Sequence, residues 1–199
     1  MMIFTLTVLM LFITPGPGVL STAGVGAAYG FRPGLTYVAG LFVGTNTVAL
    51  AVITGLAALI LGMPGLRSVL MVASVAYLLY LAARIALAGS RVAFIEAKSP
   101  PGALAGLLLQ AINPKAYAVN TALISGFAFY PGSLLIETLL KLLIMNLIWI
   151  PVHLGWLWAG VTLHRLDLPE RSHRIINIFM ALAMLSVVAL AIWSAMRSY

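Results

Sequence analysis

Two long apolar stretches of this chain are each broken by proline, at Thr14-Pro15-Gly16-Pro17 and at Asn113-Pro114-Lys115. Proline inside a helix removes a backbone hydrogen bond and clashes with the turn before it, at a cost of ~3 kcal/mol or more. Neither stretch can therefore be one continuous helix. Shifting the first break by 99 residues lays Pro15 on Pro114, Ser21 on Asn120, Thr22 on Thr121 and Ala23 on Ala122. The offset is close to half of the 199 residues, so the sequence reads as two related halves. Paired interruptions in corresponding spans point to the binding site of a secondary transporter.

Composition fixes the environment. The chain is 63% hydrophobic and 8% charged, against roughly 25% charged residues in soluble domains. A spanning helix needs about 20 mostly apolar residues. Six stretches qualify, at about 2–30, 34–62, 66–89, 103–129, 133–162 and 174–197. They are continuous apolar runs without alternation, which favours helices over a barrel. The expected fold is an all-α membrane protein. Turn signals at Arg32-Pro33-Gly34, Gly62 to Gly65, Ser99 to Gly102, Tyr130-Pro131-Gly132 and Leu168-Pro169-Glu170 separate the spans.

A polar linker at 90–102 divides a first repeat at 1–89 from a second at 103–199, within one transmembrane domain. Three helices per half is an odd number, so the second half enters the membrane in the opposite sense. The expectation is a 3+3 inverted repeat with helices 1 and 4 broken. The net charge of +7 suggests nucleic acid at first sight. Lys and Arg cluster instead in the loops after spans 1, 3 and 5 (Arg32, Arg91, Lys98, Arg165, Arg171 and Arg174), which the positive-inside rule assigns to the cytoplasm. Both termini then lie outside, and no nucleic-acid partner is expected. There is no cysteine. The histidines and acids of the last loop fit no metal-ligand spacing, so no metal or cofactor is expected.

The residues that carry chemistry gather at the breaks. The half-helix starting near Pro17 presents its positive end, suited to a carboxylate. Asn113 and Pro114 repeat the arrangement as a cap and a first-turn proline. Lys115 lies deep in its apolar segment, where a charge costs at least ~2.5 kcal/mol. It is read either as attracting a substrate carboxylate or moving with a proton, or as satisfied by carbonyls opened at the break. Thr14, Pro15, Gly16, Pro17, Asn46, Asn113, Pro114, Lys115, Asn120 and Asn146 are the candidate substrate-binding residues. Asn46 and Asn146 occupy corresponding places in helices 2 and 5. Lys115, Glu137 and His153 are the candidates for proton coupling. Glu137 and Lys141, one turn apart, are also placed to pair with each other. Gly40-x-x-x-Gly44 permits close helix approach or dimerisation.

These features together, with the glycine ladder Gly30, Gly34, Gly40, Gly44 and the Ala76-Tyr77-Leu78 step, resemble the lysine exporter and homoserine/threonine exporter (LysE/RhtB) family. The specific motifs run from about residue 5 to 125, and the remainder matches in hydropathy alone. The resemblance implies a small exporter of amino acids or similar metabolites in the bacterial inner membrane, proton-driven, homodimeric and not an enzyme. One departure stands out. Many members of that family carry an aspartate in helix 2 close to the place of Asn46, which cannot ionise. If that aspartate moves protons, this chain needs another group, such as His153 or Glu137. A neutral amino acid or derivative with a free carboxylate then fits Lys115 and the two half-helix ends better than a cationic one. The competing readings are a passive channel or membrane-complex subunit, and an intramembrane lipid-modifying enzyme.

Overall fold

The computed structural model describes residues 1–14, 16–56 and 99–165, with scattered positions between 63 and 83 and between 171 and 186. Pro15, most of the expected third and sixth spans, residues 90–98 of the linker and residues 166–170 of the last loop lie outside the described residues.

The chain runs through α1 (Met2–Ile13), α2 (Pro17–Tyr29), α3 (Phe31–Ile53), α4 (Ala103–Ile112), α5 (Pro114–Ser125) and α6 (Leu134–Arg165). Among the described residues there is no strand. Both proline sites break the helix where the sequence expects. Thr14 turns extended (φ −59°, ψ 127°) to end α1, and Pro17 opens α2 as a first-turn residue. The two segments are bent by 50°. Asn113 is likewise extended (φ −79°, ψ 107°) between α4 and α5, with Pro114 opening the second segment.

Two helices, Phe31–Ile53 and Leu134–Thr162, are each long and apolar enough to cross a membrane, and the bent pair α1–α2 supplies a third span if it crosses as one. One boundary differs from the sequence expectation. The turn read at Arg32-Pro33-Gly34 is helical, and the chain reverses instead at Gly30, whose φ of 80° favours glycine. Pro33 sits in the first turn of α3, where its missing N–H costs nothing. At the other end α3 stops at Ile53, where Gly55 takes a φ of 77°, and the expected end of the span near 62 lies outside the described residues.

Packing follows two glycine-lined seams. Along the α3–α4 seam, a Cβ on Gly40 would strike the Ala103 carbonyl, and one on Gly106 would strike that of Tyr37. Along α2–α6, a Cβ on Gly160 would strike the Ala23 carbonyl, and one on Gly26 would come within 2.8 Å of the Leu157 carbonyl. Without a hydrophobic drive between helices in lipid, such backbone approach is what holds them together. The seams enclose Leu20, Tyr37, Leu41, Leu109, Trp149 and Leu157, all buried. A second cluster joins α1, α5 and α6 through Phe4, Val8, Leu123 and Met145.

Because Gly40 faces backbone, not a side chain that could swing aside, Gly40→Leu must separate α3 from α4. The expected loss is about 2 kcal/mol or more of stability, measured as a lowered unfolding midpoint of the detergent-solubilised protein.

Candidate functional site

The two breaks meet. Lys115, the second residue of α5, extends its side chain to the first break and donates from Nζ to the Thr14 carbonyl at 2.8 Å. That carbonyl belongs to the end of α1, where helix termination leaves acceptors without partners. Gly16 gives the lysine room: a Cβ there would stand 2.8 Å from both Cδ and Nζ of Lys115. The deep cation thus joins the C-terminal end of one half-helix to the N-terminal end of another.

Asn113 organises the second break. Its side chain accepts from the Lys115 backbone N–H at 3.1 Å, capping α5, and donates from Nδ2 to Gln110 Oε1 at 2.9 Å. At the first break Gly16 offers no side-chain cap, so the amides of Gly18 and Val19 open α2 without one.

Between the breaks lies a cavity of about 50 Å³, room for roughly four waters. Thr14, Gly16, Asn113, Lys115, Asn120 and His153 line it, so six of the sequence candidates come together. Among the described residues its lining contains no Asp or Glu. Pro17 and Pro114 shape the walls by starting their helices and do not line the space.

Asn46 and Asn146 line an adjoining pocket of about 10 Å³, which shares Thr45, Asn120 and Trp149 with the first. The two amides bond reciprocally, each Nδ2 donating to the other Oδ1 at 3.0 Å. Each also donates to the carbonyl four residues back in its own helix, that of Phe42 at 2.9 Å and that of Leu142 at 3.0 Å.

Glu137 stands apart from both cavities. Its Oε1 pairs with Lys141 Nζ at 2.7 Å, and its Oε2 accepts from the backbone N–H groups of Phe129 (3.1 Å) and Tyr130 (2.7 Å). Lys141 in turn donates to the carbonyls of Ile124 and Phe127. The buried pair is hydrogen-bonded around both charges and fastens the α5–α6 loop.

Gln110 and Trp149 are site residues that sequence reasoning missed. Gln110 carried a usable signal: it is a glutamine in an otherwise apolar run, one turn before the break. Trp149 had none, since an aromatic in an apolar helix reads as packing. Its ring stacks on that of His153, with centroids 3.6 Å apart and planes 14° apart.

Apolar helices long enough to span lipid, around a polar cavity built from broken segments, define a multi-pass membrane protein. The chain matches the family of LysE type translocators over residues 9–194, and it belongs to that family. It is a membrane transporter. No curated protein and no solved structure matches it.

The reciprocal amide pair makes a quantitative prediction. Asn46→Leu alone leaves the partner amide without its cross-helix bonds, and Asn146→Leu does the same. A double-mutant cycle on unfolding stability in detergent or bicelles should give a coupling of about 1 kcal/mol between the two positions.

Proposed function

We propose that the protein exports neutral amino acids or similar small carboxylate-bearing compounds across the bacterial inner membrane by alternating access. The observation that carries this reading is the meeting of both broken helices at one cavity, with Lys115 as its cation. A substrate carboxylate would meet the Lys115 ammonium and the positive end of α2, which begins beside the cavity at Gly18 and Val19. With Lys115 on the wall and no acid among the described lining residues, the cavity favours an anionic group.

Alternating access needs two halves related by an axis through the site. Two contacts between repeat-matched positions support that arrangement. Asn46 and Asn146, 100 residues apart, bond reciprocally. Gly16 and Lys115, which coincide under the 99-residue shift, lie against each other. Residues that touch their own counterparts are what a two-fold axis produces.

Proton coupling falls to Lys115 and His153, the titratable groups on the cavity lining. Glu137 is committed to its pair with Lys141 and to the loop. Substrate binding competes with the Thr14 carbonyl for Lys115, so occupancy of the site loosens the strut between the breaks.

Efflux from proteoliposomes loaded with labelled neutral amino acids tests this. Lys115→Met should lower the rate at least about tenfold, the scale of one charge-assisted hydrogen bond. Export unchanged in a Lys115→Ala/Asn46→Ala double variant would remove the proposed site.

A further inference from the structure

One wall of the cavity has a polarity opposite to that of Lys115. His153 is buried on α6 and held by two contacts: the stacked ring of Trp149 and a 3.0 Å bond between Nδ1 and the Trp149 carbonyl. A carbonyl oxygen can only accept, so Nδ1 carries the hydrogen. The Lys115 ammonium lines the same cavity, and no carboxylate does among the described residues, which favours the imidazole with a single hydrogen. Nε2 is then a lone-pair acceptor by necessity, and no described residue bonds it. It faces the start of α2: a Cβ on Gly18 would stand 3.5 Å from it, in ordinary contact, so the bare glycine leaves the approach open.

The donors for a carboxylate and this acceptor therefore lie along the same first turn of α2. Lys115 Nζ is beside Gly16 and His153 Nε2 is beside Gly18. That juxtaposition on one cavity suits a compound carrying both an anionic and a cationic group. Resting on the carboxylate reading above, we infer that His153 Nε2 receives the substrate's ammonium group, making His153 the residue that selects an α-amino acid over the acid lacking the amine. Trp149 acts as a positioning residue: its carbonyl sets the tautomer and its ring sets the plane.

The test compares neutral L-amino acids with their des-amino counterparts (alanine with propionate, for example) as labelled cargo in proteoliposomes of the full chain. The readout is the ratio of the two efflux rates within one preparation, so differences in yield or folding between variants cancel. Wild type should favour the amino acid by at least about tenfold, as expected for a charged hydrogen bond away from bulk water. His153→Phe should bring the ratio near one. His153→Gln, which keeps a neutral acceptor, should retain part of it, and Gly18→Ala should reduce it by filling the approach. Equal rates for both cargoes in wild type, or an unchanged ratio in His153→Phe, would overturn the role of His153 while leaving carboxylate transport standing. Transport of neither cargo by wild type would instead overturn the carboxylate reading, and this inference with it.

Discussion

The bond from Lys115 Nζ to the Thr14 carbonyl answers the constraint that rules a broken helix inside a bilayer: opened backbone groups must find partners within the protein. Each proline site frees acceptors at the end of one segment and donors at the start of the next. Here the freed groups of the two sites are brought together, and one long cation crosses between them. The same bond addresses the complementary problem of the lysine itself, whose charge is costly at that depth. A structural need and a chemical one are thus met by a single side chain. The cavity follows, because a lysine can reach across only where the facing residue is glycine. Gly16 supplies that absence.

The Asn46–Asn146 pair has the same economy in neutral form. An asparagine has donors and an acceptor on one side chain, so two of them satisfy each other across an interface. Each Nδ2 still has a hydrogen for the carbonyl one turn back in its own helix. An aspartate at 46 would lose its donors and break the reciprocity. Where the family resemblance leads to an expected aspartate, the local structure is one in which an amide, specifically, is fully used.

Both breaks were legible from the sequence because proline acts locally, and no tertiary context restores the missing N–H of Pro17 or Pro114. Asn46 and Asn146 were legible as residues at corresponding places in helices 2 and 5, but that they bond each other is decided by the packing. Lys115 was legible as an interior residue, but its depth alone could not separate a ligand from a strut. That distinction depends on where the Thr14 carbonyl lies, which only the packing decides. The misread turn at Arg32-Pro33-Gly34 has a simple cause: proline followed by glycine marks a chain reversal and a helix start equally well, and Gly30 took the reversal. Helices apolar on every side also have no face to read, so hydropathy did not tell which side of α4 would be buried. That is why Gln110 went unnoticed as a wall of the site.

The seams break the symmetry that the site suggests. Gly40 and Gly106 let the backbones of α3 and α4 touch, yet the positions matching them under the 99-residue shift are Leu139 and Thr7. The equivalent seam, between α6 and α1, therefore cannot close to the same distance and packs through Phe4, Val8 and Met145 instead. In the same way Gly26 of the α2–α6 seam corresponds to Ser125 in α5. Backbone contacts between glycine-bearing helices resist sliding, because carbonyls and Cα atoms interlock without flexible side chains between them. Side-chain seams repack more readily. On the alternating-access reading, α3 with α4 and α2 with α6 are the units that move as bodies. The extended residues at Thr14 and Asn113 join those bodies to α1 and α5, and the bond that Lys115 makes across the two breaks is the one that substrate must displace.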